Sequence, residues 1–283
     1  MRLPVQSSVT ISLPTRITQN ALQSMSISEK WTARSWVITD ISDFVPLVRV
    51  WNSLNASQSV DPPRLLAKDC ERLYTNIPLH DMLTRVLDLI GRVFHLPEHA
   101  RLGHVAVKVR ETKHAQWLKA HEVPVDYHAR TGTGDGGDFV IFDMHMIEIW
   151  VTFLLDNLFI IFGGQFRRQA IGAPMGSSCS GGIVNLYLCS YELAFVEQLS
   201  AIYKSPNHPP ELILLALLIQ RAFLLTSRYL DDISSINNPY FDRLYTDQTF
   251  LATPIRGIYP PPPHYQVSWF WPFYTLLGCD CLS

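Results

Sequence analysis

Two adjacent carboxylates, Asp231 and Asp232, interrupt one of the most apolar runs of this chain. They follow the segment ILLALLIQRAFLLTSRYL (residues 213–230) and precede ISSIN. The pattern predicts an apolar strand, a tight acidic turn and a second strand, which form a β-hairpin with both carboxylates at its tip. A further strand is predicted at PRLLAKDC (Pro63–Cys70), and Asp69 lies at its C-terminal end.

Three carboxylates converge on one point if these strands are neighbours in one sheet. Clustered carboxylates repel one another unless a cation neutralises them. Hard oxygen ligands suit Mg²⁺ or Mn²⁺, which also bind substrate phosphates. Two such ions about 3.5–4 Å apart activate an attacking hydroxyl and stabilise the leaving oxygen of a phosphoryl transfer. The residues alone therefore indicate a metal-dependent phosphoryl or nucleotidyl transferase, and an exposed acidic turn without chemistry is the alternative.

The other segments predict helices separated by turns. LFIIFGG (residues 158–164) predicts a hairpin that turns at Gly163-Gly164, and the composition of residues 97–138 predicts a loop. The order strand, helix, hairpin, helix, hairpin indicates an α+β fold that resembles a ferredoxin-like split βαβ antiparallel sheet with helices on one face. Apolar density and spacing predict helices at residues 79–94, 142–155 and 183–199.

Composition excludes several classes of protein. The chain has 283 residues, 47% hydrophobic and 17% charged, which excludes global disorder. A formal charge of −2 predicts that any site for a polyanion is local. The odd number of cysteines, 5, predicts a reducing intracellular setting. The two apolar runs, 147–162 and 212–225, are short and carry polar residues, which predicts buried elements and no membrane span.

Three longer segments occur in a fixed order: DCERLYTNIP (Asp69–Pro78), QAIGAPMGSSCSGGIVNLYLCSYE (Gln169–Glu192) and RYLDDISSINNPYF (Arg228–Phe241). They resemble motifs A, B and C of reverse transcriptases, especially those of Penelope-like retroelements, the group related to telomerase reverse transcriptase. The resemblance covers roughly residues 64–260. It implies a reverse-transcriptase palm and an RNA-directed DNA polymerase, a nucleotidyltransferase that adds deoxynucleotides to a primer 3′-OH.

The resemblance also implies a role for each matching residue. Asp69 and Asp231 would ligate Mg²⁺ or Mn²⁺ with Asp232 beside them, and Cys70 would contribute its backbone carbonyl. Tyr74 matches the aromatic residue that lies under the incoming sugar and excludes a ribose 2′-OH. The residues that match the template and nascent base-pair loop are Gln169, Gly172, Pro174, Met175 and Gly176. Apart from the resemblance, Arg167 and Arg168 form a local basic pair that would contact phosphate, and a solvated hairpin tip is the alternative.

The implied organisation is a palm over residues 61–245. Residues 1–60 would be an N-terminal region, a fingers remnant or disordered, and 246–283 a Pro- and aromatic-rich tail at a truncated palm end. Fingers and thumb are expected to be incomplete. The implied partners are an RNA template, a DNA primer and deoxynucleoside triphosphates, and the implied compartment is the nucleus. Two alternatives stay open: an inactive palm fragment that at most binds nucleic acid weakly, and a small membrane protein.

Overall fold

The protein has an α+β fold, as the sequence predicts. The structure, a computed structural model, describes residues 36–38, 43–46, 48–49, 65–69, 73–96, 103–108, 115–123, 139–173, 179–246, 250 and 252–260. The strands in this part are β1 (Leu65–Asp69), β2 (His104–Lys108), β3 (Ala115–Leu118), β4 (Phe139–Asp143), β5 (Phe159–Phe162), β6 (Gln165–Arg168), β7 (Thr226–Tyr229) and β8 (Asp232–Ile236). The helices are α1 (Leu73–Asn76), α2 (Leu79–Phe94), α3 (Met144–Asp156), α4 (Ser180–Lys204), α5 (Pro210–Ala222) and α6 (Phe241–Thr246).

One three-stranded sheet joins strands that are far apart in the sequence. Its order is β1-β8-β7, and both pairings are antiparallel. The predicted strand before Cys70 and the predicted acidic hairpin are therefore neighbours. Hydroxyl pairs cross the hairpin, because Thr226 Oγ1 lies 2.7 Å from Ser235 Oγ and Ser227 Oγ lies 3.0 Å from Ser234 Oγ. These side-chain bonds favour one register between β7 and β8.

The outer edge of β7 is bridged by residues 36–38. Val37 pairs with Arg228 in a parallel bridge. The Arg228 N–H donates to the Trp36 carbonyl at 2.6 Å, and the Ile38 N–H donates to the Arg228 carbonyl at 2.9 Å. Trp36 and Ile38 are buried. This bridge covers main-chain groups that an edge strand would otherwise expose.

The described strands form two further sheets rather than one continuous sheet. One has the order β3-β2-β4, and the other is the β5–β6 ribbon, residues 159–168. The ribbon turns at Gly163 and Gly164 with φ values of 57° and 76°, which are typical of a type I′ turn. The Gly-Gly hairpin is thus confirmed, while β2 and β3 lie in a region that the sequence predicts to be loop.

The three predicted helices are confirmed as α2, α3 and α4. Helix α2 begins after Pro78, and its apolar stripe is buried. Helix α3 begins at an Asp143 cap, whose carboxylate accepts a hydrogen bond from the Met146 N–H at 2.7 Å. In α3 only the face that carries Ile147, Val151 and Leu155 is buried. The helix predicted at 142–155 begins two residues later in the structure, at Met144, because Phe142 belongs to β4.

The long strand predicted before Asp231 is wrong over residues 213–225. This run forms α5 and a short 3₁₀ turn, and only Thr226–Tyr229 is strand. Pro210 and Glu211 in the first turn favour a helix start, and the run of leucines exceeds the usual strand length. Within the described residues, no helix is long and apolar enough to cross a membrane.

Two compact units share the chain. The first contains residues 1–193 and 224–237, and the second contains 194–223 and 238–283. Aromatic rings form much of the core of the second unit: Phe223 lies 5.2 Å from Phe195 and 6.3 Å from Phe241 between ring centroids. The predicted limits at residues 60 and 245 remain predictions, since most of the flanking segments lie outside the described residues.

A hydrogen-bonded tyrosine pair ties α2 to α4 within the first unit. The hydroxyls of Tyr187 and Tyr191 both donate to Asp81 Oδ2 at 2.8 Å. Arg85 Nε donates to the other Asp81 oxygen at 3.1 Å, and its guanidinium lies 3.8 Å from the Tyr191 ring centroid. Burial raises the pKa of Tyr187, and the hydrogen bonds and charge around it raise that pKa further. The cluster therefore holds the Tyr187 hydroxyl in its protonated form.

This raised pKa predicts a loss of stability in alkali. The folded state keeps the Tyr187 proton at a pH where the unfolded state, with a pKa of about 10, releases it. The free energy of unfolding should fall above about pH 10, with Tyr187 contributing up to about 1.4 kcal/mol per pH unit. Urea unfolding at several pH values should show a shallower slope for Tyr187→Phe, and an unchanged slope would contradict the assignment.

Candidate functional site

The sheet register brings two of the predicted carboxylates together. Asp69 is the last residue of β1, and it pairs directly with Asp232, the first residue of β8. Directly opposite side chains of an antiparallel pair point to one face, with their Cβ atoms about 5 Å apart. Both residues are exposed, and Asp231, half-buried, precedes Asp232 in the turn. The sheet therefore sets Asp69 opposite Asp232, and Asp231 precedes Asp232 in the turn.

The turn that carries Asp231 has two residues, Leu230 and Asp231. Tyr229 pairs with Asp232 across it. Leu230 adopts a left-handed conformation with φ 53°. A side chain in this region costs roughly 1–2 kcal/mol, so the turn needs support from its surroundings.

That support comes from a buried guanidinium group. Arg228 is fully buried, and Glu192 on α4 receives a hydrogen bond from its Nε. Its Nη1 donates to Asn185 Oδ1 and to the Leu230 carbonyl, each at 2.7 Å. Its Nη2 donates to the Asn185 carbonyl at 3.2 Å and to the second Glu192 oxygen at 3.5 Å. All five donors of the guanidinium are thus used, one of them on the carbonyl that precedes Asp231.

The sequence analysis assigned no role to Arg228, Glu192 or Asn185. A signal for this contact does exist in the chain. An arginine inside a buried strand needs a buried counter-charge. Asn185 and Glu192 are separated by two helical turns and therefore share one face of α4. Nothing in the sequence selects this face over others, so only the structure identifies the pairing.

Tyr74 lies within electrostatic reach of the acidic turn. Burial raises the pKa of its hydroxyl above the ordinary value, and the negative charge of Asp231 raises it further, whereas Arg228 lowers it. The half-buried phenol therefore stays neutral beside Asp231. The role that the resemblance implies for Tyr74, under the incoming sugar, stays a prediction.

Gly172 makes a close approach to the chain around Tyr74. Its N–H donates to the Ile77 carbonyl at 2.8 Å, and the Ala173 N–H donates to the Tyr74 carbonyl at 2.6 Å. Gln169 braces the same loop, because its amide nitrogen donates to the Gly172 carbonyl at 2.9 Å. The structure therefore joins three of the predicted residues: Gln169, Gly172 and Tyr74.

Arg167 and Arg168 lie on β6 and are exposed. Arg167 Nη2 donates to Gln165 Oε1 at 2.6 Å, and Arg168 Nη2 pairs with Asp156 at 3.0 Å. An exposed ion pair of this kind contributes little stability, so phosphate can displace it at low cost. The basic pair is therefore accessible, and its contacts are with neighbours on the ribbon and α3.

The donor set around the acidic turn consists of carboxylate oxygens, which suit Mg²⁺ or Mn²⁺. The described residues contain no group of three His, Cys, Asp or Glu side chains already close enough to hold a metal ion. The chemical type of the donors fits such an ion. The predicted residues that lie outside the described part of the chain are Cys70, Pro174, Met175 and Gly176.

Comparisons with known proteins add no assignment for this chain. No protein-family model, curated protein or solved structure matches it. Its function is therefore argued from its own residues.

Removal of the Glu192 charge should destabilise the protein strongly. Glu192→Gln leaves the buried Arg228 guanidinium without its counter-charge, and we expect a loss of about 3–5 kcal/mol in the free energy of unfolding. Glu197→Gln on the exposed surface of the same helix is the matched control, with an expected change within about 0.5 kcal/mol. Urea denaturation measures both, and equal effects would contradict a structural role for the pair.

The close approach at Gly172 predicts that alanine changes the stability of the protein differently at two glycine positions. A Cβ at this position would lie 2.6 Å from the Tyr74 carbonyl oxygen, and φ is +90°. Gly172→Ala should therefore lower the free energy of unfolding by about 1–3 kcal/mol. The control is Gly181→Ala, where a Cβ meets Leu230 Cδ2 at 3.7 Å. That helical substitution should stabilise the protein by up to about 1 kcal/mol, and an equal penalty at both positions would contradict the close approach of Gly172 to the Tyr74 main chain.

Proposed function

We propose that this protein is an RNA-directed DNA polymerase that uses its acidic turn for nucleotidyl transfer. The observation that carries the proposal is the register of β1 and β8, which sets Asp69 opposite Asp232 with Asp231 in the adjoining turn. Motifs that resemble A and C of reverse transcriptases thus meet in one sheet. The finer fold assignment, a reverse-transcriptase palm, is part of this proposal.

Repulsion between like charges explains why such a cluster needs a cation. Carboxylates directly opposite each other in a sheet are destabilising. Asp69, Asp231 and Asp232 would hold Mg²⁺ or Mn²⁺. When bound there, these ions neutralise the charge of a triphosphate and lower the pKa of an attacking hydroxyl.

Residues beside the turn have positioning roles in this proposal. Tyr74, neutral and half-buried near Asp231, would lie under the deoxyribose and exclude a ribose 2′-OH, the role that the resemblance implies. Gly172, without a side chain, lets the loop that would support the template and nascent base pair pack against the main chain of Tyr74 and Thr75. Gln169 fixes the Gly172 carbonyl and therefore the shape of this loop. The substrates are a DNA primer, an RNA template and deoxynucleoside triphosphates.

Primer extension tests the proposal directly. The chain should extend a DNA primer on an RNA template in Mg²⁺ or Mn²⁺, with release of pyrophosphate. Asp231→Asn should reduce the rate by about a hundredfold or more. Asp242→Asn, which removes one exposed carboxylate outside the acidic cluster, is the matched control and should retain the wild-type rate.

One observation favours a second candidate, a nucleic-acid-binding protein without catalysis. The three aspartates do not form a ready three-ligand group within the described residues. If the folded wild-type chain binds a primer–template but yields no extension in either metal, this second candidate replaces the polymerase.

A further inference from the structure

The β5–β6 ribbon exposes apolar side chains to an unusual degree. Phe166 is 78% exposed and Ile161 is 70% exposed, and Phe159 and Ile160 are also among the exposed large hydrophobic residues. An isolated two-stranded hairpin is only marginally stable in water. Large apolar side chains clustered at a surface mark a binding site more often than chance.

Cationic groups alternate with these apolar side chains. Pairing across the ribbon sets Phe159 opposite Arg168 and Ile161 opposite Phe166, so these four residues share one face. Ile160 lies opposite Arg167 on the other face. Rings that stack on bases, together with guanidinium groups that contact phosphates, are the combination by which proteins bind single strands without regard to sequence.

The ribbon leads from an apolar pair near its turn to two arginines at its base. Ile161 and Phe166 lie next to the glycine turn, while Arg167 and Arg168 lie toward the base. The base continues into Gln169, whose N–H donates to the Leu158 carbonyl at 2.8 Å, and then into Gly172 beside Tyr74. The exposed face is therefore continuous in the chain with the loop that the proposed function assigns to the template.

We propose that the β5–β6 ribbon is a binding site for single-stranded nucleic acid, with Phe166 and Phe159 as stacking platforms and Arg168, on the same face, as a phosphate contact. The site deepens the proposed function, on which it rests, because it supplies a contact for the unpaired strand next to the loop of Gln169 and Gly172. Phosphate displaces Asp156 from Arg168, since that ion pair is exposed at both ends.

The test uses the full-length chain and fluorescently labelled 12-nucleotide oligo(dT) and oligo(rU) in EDTA. Phe166→Ala should weaken binding about tenfold or more, because one base loses its stacking partner. Arg168→Gln should reduce the slope of log K against log salt by about 0.7. Leu214→Ala is the matched control, since Leu214 is an apolar residue of α5 with 57% exposure. It should leave binding unchanged.

Three results would overturn this inference. The first is equal binding by wild type and Phe166→Ala, with both shown to be folded by their thermal unfolding. The second is concentration-dependent self-association of the chain that Phe166→Ala abolishes, which would make the ribbon an interface between copies. The third is Phe166-dependent binding to vesicles containing phosphatidylserine without binding to either oligonucleotide.

The assay also separates this inference from the proposed function. EDTA removes any contribution from metal at the aspartates, so strand binding in this buffer reports the ribbon and not the acidic turn. Strand binding that depends on Phe166 in a chain without polymerase activity would support the ribbon site and reject the polymerase. Primer extension by a chain whose strand binding does not depend on Phe166 would support the polymerase and reject the ribbon site.

Discussion

A guanidinium group removed from water needs an acceptor for every N–H, and Arg228 meets this requirement with partners from two parts of the chain, while its main chain pairs with a third. Glu192 and Asn185 come from α4, the Leu230 carbonyl comes from the acidic turn, and the main chain of Arg228 pairs with residues 36–38. A buried charge of this kind tolerates few alternative arrangements, because each lost acceptor costs a desolvated donor. The geometry around Asp231 is therefore a consequence of satisfying one arginine.

The register between β1 and β8 determines whether the carboxylates share one face of the sheet. A shift of one residue between β1 and β8 would move Asp69 to the opposite face from Asp232. The hydroxyl pairs between β7 and β8 and the two-residue turn favour one alignment of the hairpin, and β1 then pairs along it. The acidic cluster thus depends on polar contacts inside the sheet as well as on the aspartates themselves.

Local patterns were sufficient to predict much of this fold. Pro78 and the apolar spacing after it identify α2, and Gly163-Gly164 between apolar and mixed segments identifies the β5–β6 ribbon. The run at 213–225 was misassigned because uniform apolar composition carries no period, so a helix and a buried strand look alike. Strands β2 and β3 were missed because their stability depends on pairing with β4, which composition does not reveal. The placement of Asp69 near Asp232 followed from motif order, whereas the partners of Arg228 required three-dimensional information.

The order in which β1 and β8 leave the ribosome has a consequence for biogenesis. Helices α2 and α3 are built from local contacts and form early, but β1 must wait for a partner that is synthesised much later. At the usual elongation rate this delay is roughly 10–30 s. During that interval the nascent chain presents an open strand edge that other chains can join. Yield from a cell should therefore depend on chaperone capacity and on the speed of translation between the first and last motifs.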